Sequence, residues 1–252
     1  MPFLTAGGHR LEYERIGGAG DRPTLILLHE GLGSIALWRD FPAKLAQATG
    51  CPAVVYSRYG YGRSDALAGP RGVDYMHQEA LDTLPELRAR LGLDDAILVG
   101  HSDGASIALI HAGSGRWPVR ALVLEAPHVL VEDASIASIE DARVAYETTD
   151  LHQRLARYHR DVDSAFRGWN DIWLHADFRA WNIEEYLPGV RCPVLAIQGA
   201  DDEYGTLKQL DAIERGVAGP FERLVLAECK HSPHRDQEQA TLAAMAAFIA
   251  RV

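Results

Sequence analysis

The sequence has few cysteines, no long apolar run and no excess of basic residues, and each absence excludes a class of protein. Three cysteines in 252 residues, with no C-x-x-C pair, predict neither a disulfide framework nor a redox pair. We therefore expect reduced thiols in a cytoplasmic protein. No apolar run approaches the roughly 20 residues that a membrane-spanning helix needs. The first residues lack a basic stretch followed by an apolar one, so no signal peptide is predicted.

The charge balance is acidic, with 25 Lys and Arg against 35 Asp and Glu and a formal net charge of −10. Proteins that neutralise phosphates need clustered Lys and Arg, so neither nucleic acid nor a membrane surface is expected as a partner. We expect a small-molecule substrate, and the sequence leaves the oligomeric state open. Hydrophobic residues at 47% are typical of a globular protein, and we expect one domain over residues 1–252.

Short runs rich in Val, Ile and Leu alternate with helical patterns along the chain. Apolar runs without polar alternation are typical of strands covered on both faces. Since strands that alternate with helices form crossover units, the sequence predicts an α/β fold with a doubly wound, mostly parallel sheet. The alternation in residues 11–14 predicts a half-exposed edge hairpin before it. The predicted strands are Leu25–His29, Ala53–Tyr56, Ala96–Gly100, Ala121–Glu125, Val194–Gln198 and Leu224–Ala227.

One region, residues 129–188, carries no strand pattern. Its apolar and aromatic residues recur at helical spacing, and Asp163 is the expected N-cap of one helix. We expect a helical lid inserted between two core strands. The alternative is an ordinary helical pair whose aromatic residues are simply core. The tryptophans of this region are Trp169, Trp173 and Trp181.

The most informative motif is Gly100-His101-Ser102-Asp103-Gly104, a G-x-S-x-G between a predicted strand and a predicted helix. Small residues are needed two positions before and after the serine, because the chain turns sharply there and a side chain would collide with its neighbours. The turn exposes the serine hydroxyl, and the helix N-terminus beneath it favours negative charge. The motif predicts that Ser102 is a nucleophile.

A serine hydroxyl is a weak nucleophile and needs a base and an orienting acid. In this architecture the chain order is serine, acid, histidine, each after a strand. Asp201 and Asp202 both follow the strand that ends at residue 198, and His231 follows the last strand. We expect His231 to be the base and one of the two aspartates to be the acid. We expect His234 to be a solvated loop residue.

The loop after the first core strand is the third element of the predicted site. A backbone N–H from this loop, together with that of Asp103, is expected to bind the oxyanion of a tetrahedral intermediate. His29 is expected to brace the loop. The loop reads Leu28-His29-Glu30-Gly31-Leu32-Gly33-Ser34.

Five motifs in this order resemble the α/β-hydrolase fold superfamily, in its lid-bearing branch of esterases, perhydrolases and carbon–carbon bond hydrolases. The resemblance implies that Asp202 rather than Asp201 is the acid and that an oxyanion donor lies at Gly31. It also implies that no metal or cofactor is needed. The motifs are the loop at His29-Glu30-Gly31, the segment 57–65, the turn at Ser102, Gly199-Ala200-Asp201-Asp202, and His231-Ser232-Pro233-His234.

Two residues depart from the family pattern. Glu30 stands where the family usually has Gly, which could move the oxyanion donor to Leu32. Asp103 stands where an apolar residue or Gln is usual. A carboxylate beside an oxyanion is unfavourable unless it is paired. Either the site accepts a polar or cationic group, or the carboxylates form buried ion pairs with Arg58 and Arg63; we favour the ion pairs.

The sequence thus predicts a serine hydrolase that cleaves a small-molecule carboxylic ester through Ser102, His231 and Asp202 and an acyl-enzyme. A carbon–carbon bond hydrolase or thioesterase of the same fold, a cofactor-free oxygenase, and a non-hydrolytic binding protein remain alternatives, since a fold does not choose among them. Substrate selectivity is expected to lie in the lid. The predicted pocket walls are Glu30, Tyr146, Tyr158, Trp169 and Trp173.

A dinucleotide-binding dehydrogenase is a weaker hypothesis from another class. Residues 31–36 fit G-x-G-x-x-A after a strand. That pattern requires an acidic residue at the end of the next strand, but this sequence has Ser57-Arg58 at that position. It also leaves Ser102, Asp202 and His231 without a role. A metal hydrolase is disfavoured because His29-Glu30 starts like H-E-x-x-H but has Gly33 at its fourth following position.

Overall fold

The computed structural model describes residues 1–18 and 20–252. In this part of the chain eight strands form one sheet, in the order β1-β2-β4-β3-β5-β6-β7-β8. The strands are β1 (Phe3–Ala6), β2 (His9–Ile16), β3 (Thr24–Leu28), β4 (Ala53–Tyr56), β5 (Ala96–His101), β6 (Ala121–Glu125), β7 (Val194–Gly199) and β8 (Phe221–Leu226).

The sheet is antiparallel at its first edge and parallel elsewhere. β1 and β2 form an antiparallel hairpin, and β2 pairs antiparallel with β4, with Tyr13 opposite Tyr56. The pairs from β4 through β3, β5, β6 and β7 to β8 are all parallel. The predicted α/β fold with a mostly parallel sheet is confirmed. Because the parallel strands share one direction, the loops that follow them meet at one edge of the sheet.

Helices cover both faces of the sheet, which is therefore doubly wound. One face packs against α1 and α10, where Phe41, Leu45 and Phe248 are buried. The other face packs against α2 to α4, α8 and the helices between β6 and β7. The helices are α1 (Phe41–Thr49), α2 (Tyr75–Gln78), α3 (Leu84–Leu91), α4 (Asp103–Gly113), α5 (Asp133–Thr148), α6 (Leu151–Leu155), α7 (Val162–Trp173), α8 (Lys208–Gly216), α9 (Pro233–Asp236) and α10 (Glu238–Ile249).

The chain between β6 and β7 forms α5, α6 and α7 in place of strands. The prediction that Asp163 is the N-cap of α7 is wrong. The cap is Asp161, whose side chain accepts a hydrogen bond from the Ser164 N–H at 2.9 Å. Asp163 lies two residues further on, within the first turn, and accepts a hydrogen bond from the Tyr146 hydroxyl instead. Within residues 1–18 and 20–252, no helix combines the length and apolar character needed to cross a bilayer.

Candidate active site

Ser102 lies at the sharp turn between β5 and α4. Its φ is 54°, a left-handed conformation that a non-glycine residue rarely adopts. A Cβ at Gly104 would collide with the carbonyl oxygen of Leu28, and one at Gly100 would collide with the carbonyl oxygen of Gly104. The two glycines of the motif are therefore required by close backbone approach, as the sequence pattern predicts.

The structure brings Ser102, His231 and Asp202 into one hydrogen-bonded line. His231 Nε2 lies 2.9 Å from Ser102 Oγ. Its Nδ1 lies 2.8 Å and 3.0 Å from the two carboxylate oxygens of Asp202. With Nδ1 protonated and donating to the carboxylate, Nε2 is free to accept the serine proton. This is the arrangement that activates a serine hydroxyl.

Asp202 is placed by the loop after β7 and His231 by the loop after β8. The Asp202 side chain is 1% exposed, and it also accepts hydrogen bonds from the Tyr204 N–H and the Gln198 amide. Burial alone would raise the pKa of Asp202, but His231 and the Tyr204 N–H hold it below its usual value. Asp201 is exposed. The structure therefore brings Asp202, and not Asp201, to the histidine.

The loop after β3 lies beside Ser102. Among the described residues, no acceptor pairs with the backbone N–H groups of Gly31, Leu32 or Asp103. His29 braces the loop, because its Nδ1–H donates to the Glu30 carbonyl at 2.7 Å and its Nε2 accepts from the Arg58 N–H at 3.0 Å. Burial and the Arg58 charge lower the pKa of His29, which keeps the ring neutral and this pattern intact.

Asp103, one of the two carboxylates that depart from the family pattern, pairs with a buried cation. Asp103 lies 3.4 Å from Arg58, with both side chains 1% exposed, and accepts a hydrogen bond from the Tyr75 hydroxyl at 2.7 Å. Tyr75 in turn accepts from the indole N–H of Trp173. The expected ion pair of Asp103 with Arg58 is thus present.

The prediction that an arginine side chain pairs with the Glu30 carboxylate is wrong. This carboxylate lies 3.4 Å from Nδ1 of His101, and Arg58 donates instead to the Glu30 main-chain carbonyl at 2.8 Å. Burial raises the pKa of Glu30, but His101 outweighs it and holds this pKa well below its usual range. For His101, burial lowers the pKa and Glu30 raises it, with a net increase. His101 occupies the variable position of the G-x-S-x-G motif, so the pattern gives no signal for this pair.

The expectation of a solvated His234 is also wrong. His234 is 5% exposed, and its Nδ1 lies 2.9 Å from a carboxylate oxygen of Glu125 at the end of β6. Its backbone N–H donates to the same oxygen at 2.9 Å, and its ring packs against Trp38. The short helix α9 begins at Pro233 and turns this side chain inward. No local sequence signal distinguishes that turn from an exposed loop.

A cavity of about 110 Å³ opens onto Ser102. Three of the predicted wall residues, Glu30, Trp169 and Trp173, line it. Residues that the sequence reasoning missed also line it, and of these His128 carried a usable signal, since it follows the carboxyl end of β6. The lining residues are Glu30, Gly31, Leu32, Ser102, His128, Ser135, Ile139, Trp169, Trp173, Tyr204 and His231.

The structure does not bring the other two predicted wall residues, Tyr146 and Tyr158, to this cavity. Tyr146 of α5 stacks on Phe166 of α7, with ring centroids 3.7 Å apart. Tyr158 lines a separate surface cleft with Arg63 and Arg157. Helical spacing predicted that both tyrosines lie on apolar faces, but it did not show which of those faces meets the reacting serine.

The geometry around the G-x-G-x-x-A segment does not suit a dinucleotide. The segment that fits G-x-G-x-x-A leads into a four-residue 3₁₀ turn, Ile35–Trp38, so no α-helix N-terminus is available there for a pyrophosphate. Trp169 packs against Gly31 and fills the space beside it. In the described part of the chain, no group of three or more His, Cys, Asp or Glu side chains is arranged to hold a metal.

Comparison with known proteins relates this sequence to a family. A model of the alpha/beta hydrolase family matches residues 25–244. The chain is 30% identical to N-formylmaleamate deformylase of Pseudomonas putida over 212 residues, 76% of this chain and 75% of the relative. It is 24% identical to a proline iminopeptidase of Saccharolobus solfataricus, over 99% of this chain and 96% of the relative.

The fold is also that of solved hydrolases. The enol-lactonase of Burkholderia xenovorans superposes with a TM-score of 0.78 at 19% identity, covering 98% of this chain and 99% of the other. At that identity the likeness concerns the fold. Taken with the match of the family model to most of the sequence, the comparisons show that the chain belongs to the alpha/beta hydrolase family.

Proposed function

We propose that the protein is a serine hydrolase that cleaves small-molecule carboxylic esters with short acyl groups. The observation that carries this proposal is the alignment of Ser102 Oγ, His231 and Asp202, at 2.9 Å and 2.8 Å, at the wall of a small cavity. A serine placed this way has both the base that removes its proton and the carboxylate that orients the base.

The reaction follows from this placement. Ser102 Oγ bonds to the ester carbonyl carbon while its proton passes to Nε2 of His231, and Asp202 stabilises the imidazolium. The negative oxygen of the tetrahedral intermediate accepts hydrogen bonds from the N–H groups of Asp103 and of Gly31 or Leu32. The ester C–O bond then breaks, and His231 returns the proton to the leaving alcohol. Water repeats the sequence on the acyl-enzyme and releases the acid.

The charges around Ser102 are compatible with an oxyanion. The two carboxylates that depart from the family pattern both have partners: Asp103 pairs with Arg58, and Glu30 faces His101. Such pairing reduces the repulsion that an unpaired carboxylate would exert on the developing negative charge. Glu30 and Asp103, the two acidic residues that depart from the family pattern, therefore help to hold the turn in place and do not oppose the reaction.

The cavity volume supports a short acyl group. The cavity beside Ser102 is small, with a volume of about 110 Å³, and this favours acetyl or propanoyl groups over long acyl chains. Ile139 of α5 and Trp169 and Trp173 of α7 lie over the serine. We propose that this helical segment, residues 129–188, is a lid that admits substrate and then excludes water.

Removal of a formyl group from nitrogen is a second candidate. It is favoured by the 30% identity to N-formylmaleamate deformylase over 76% of the chain. A formyl group is the smallest acyl group and needs no more room than the cavity provides. The same serine, base and oxyanion donors would serve an amide, with His231 protonating the leaving nitrogen.

The experiment is a p-nitrophenyl ester series from acetate to octanoate, followed by formyl amides. Wild type, Ser102→Ala and the control Ser114→Ala, at the far end of α4, are compared. We expect turnover of the acetate that falls steeply with chain length, persists in Ser114→Ala and is lost in Ser102→Ala. Activity confined to formyl amides would favour the second candidate. Ester turnover that survives in Ser102→Ala would contradict the proposal.

A further inference from the structure

His128 has no role in the reaction described above, yet its ring lies beside the reacting atoms. It follows the carboxyl end of β6, is 2% exposed and lines the cavity with Ser102. Its ring centroid is 5.6 Å from that of His231 and 5.3 Å from that of Trp173. Its main-chain carbonyl accepts a 2.6 Å hydrogen bond from the Ser106 hydroxyl, which anchors this position to α4.

The imidazole of His128 is buried without a hydrogen-bond partner. In the described part of the chain neither ring nitrogen makes a hydrogen bond. Nδ1 is enclosed by protein next to Gly205, so Nε2 is the ring nitrogen left for a ligand. Leaving a buried polar group unpaired is costly, so such groups in folded proteins call for an explanation. A ligand that enters the cavity and forms a hydrogen bond with the ring would be such an explanation.

The ring is neutral at physiological pH. Burial, with a smaller contribution from the neighbouring His231, lowers the pKa of His128 to about 4. A neutral imidazole has one N–H donor and one nitrogen acceptor. It can therefore pair with a neutral polar group without a compensating charge.

Glu30 also lines this cavity, and its side chain is partly exposed. Its Oε2 faces His101, whereas Oε1 has no hydrogen-bond partner among residues 1–18 and 20–252. A carboxylate oxygen only accepts, so a group that pairs with it must donate. Glu30 also faces His101 at 3.4 Å, so a cationic ligand would not be its only polar neighbour.

A hydroxyl group meets both requirements, because it donates one hydrogen bond and accepts others. We propose, on the basis of the proposed function, that His128 and Glu30 recognise a hydroxyl substituent on the acyl group, so that the preferred substrates are esters of short 2-hydroxy acids. The hydroxyl donates to Glu30 Oε1 and accepts from the His128 N–H. The other wall residues, Leu32, Ile139 and Trp169, exclude water from this pairing.

The test compares methyl 2-hydroxypropanoate with methyl propanoate, which differ by the hydroxyl alone. For the wild type we expect a kcat/KM at least tenfold higher for the hydroxy ester. His128→Phe fills the same space without polar atoms and should bring the ratio close to one, while His128→Asn should keep part of the preference. His77→Phe, on α2 and outside the cavity, is the matched control and should keep the wild-type ratio.

Stability measurements separate recognition from a structural role. Because the ring makes no hydrogen bond to the protein, the melting temperature of His128→Phe should equal or exceed that of the wild type. A wild-type ratio near one, a ratio unchanged in His128→Phe, or a preference for methyl 2-aminopropanoate over the hydroxy ester would each overturn the inference. If the wild type cleaves neither ester and Ser102 does not react with an acylating or phosphonylating probe, the proposed function itself fails, and this inference with it.

Discussion

The Nε2 atom of His231 lies 2.9 Å from the Oγ atom of Ser102, although 129 positions separate the two residues in the chain. Two features hold them together. Both follow parallel strands, β5 and β8, whose carboxyl ends lie at the same edge of the sheet. In addition, Nε2 of His101 lies 2.7 Å from the main-chain carbonyl oxygen of His231, which ties the histidine loop to the turn of the serine.

Replacing the orienting carboxylate should slow the reaction without changing the fold. In Asp202→Asn the amide is nearly the same size, but it no longer stabilises the imidazolium or fixes the tautomer of His231. We expect kcat to fall on the order of 10³- to 10⁴-fold. The neighbouring exposed residue provides the control, and Asp201→Asn should retain wild-type kcat. Equal losses in the two variants would show that Asp202 has no special role.

Removing the cation that pairs with Asp103 should destabilise the protein strongly. Arg58→Met leaves a buried carboxylate without its counter-ion, which typically costs about 3–5 kcal/mol. Arg63→Met, at an exposed position of the same loop, should change the free energy of unfolding by less than about 1 kcal/mol. Urea unfolding of both variants measures the difference. Similar small losses would mean that Asp103 does not depend on Arg58.

Enlarging the cavity should change the preferred acyl chain. Trp169 lines the cavity and packs against Gly31, so Trp169→Ala removes a wall beside the serine. We expect the best p-nitrophenyl ester to shift from acetate toward butanoate or longer chains. Trp181→Ala, in the same helical segment but outside the cavity, should lose stability without this shift. An unchanged chain-length profile in Trp169→Ala would contradict the assigned wall.

Mild acid should destabilise the protein through its buried neutral histidines. His111 donates from Nδ1 to the Ala80 carbonyl and accepts from Arg88. Burial, together with the Arg88 charge, lowers the pKa of His111 to about 4. A folded-state pKa below the unfolded value of about 6.5 means that the unfolded chain binds the proton first. The contribution of His111 is therefore complete above about pH 6.5 and is lost as the pH falls toward 4.

The folded-state and unfolded pKa values of His111 differ by roughly 2.5, which corresponds to a loss of about 3 kcal/mol in the free energy of unfolding. Urea unfolding at pH 7, 5.5 and 4 measures it, with His111→Gln for comparison. The variant should be less stable at pH 7 and should lose less free energy of unfolding than the wild type between pH 7 and pH 4. Parallel pH curves for the two proteins would assign the acid sensitivity to other groups.

The fold could be predicted from the sequence because its strands are encoded locally. Except for the last, each predicted core strand is an apolar run buried on both faces, and the predicted ends at Ala53, Tyr56, Ala121 and Glu125 are those of the structure. The strand that begins at Phe221 was harder to delimit, since β8 lies at an edge and its outer residues are exposed and polar. In β8 the apolar pattern therefore marks only the last residues of the strand.

The site was less predictable wherever it depends on contacts between distant segments. Ser102, Asp202 and His231 each follow a strand, so the order of the motifs was enough to bring them together. The partner of Glu30 was not predictable, because His101 reaches it only after the turn of β5 into α4 aims the imidazole at the loop. The burial of His234 likewise depends on Glu125, 109 positions earlier.

The most direct test of the central claim is to react the protein with a fluorophosphonate and locate the adduct by mass spectrometry of peptides. An activated serine attacks the phosphorus and expels fluoride, and the account predicts one adduct, on Ser102, that is absent in Ser102→Ala and strongly slowed in Asp202→Asn. Labelling of Ser102 without ester turnover would direct attention to thioesters or carbon–carbon bonds. An unlabelled Ser102 in folded wild-type protein would contradict the account and favour a binding protein on this scaffold.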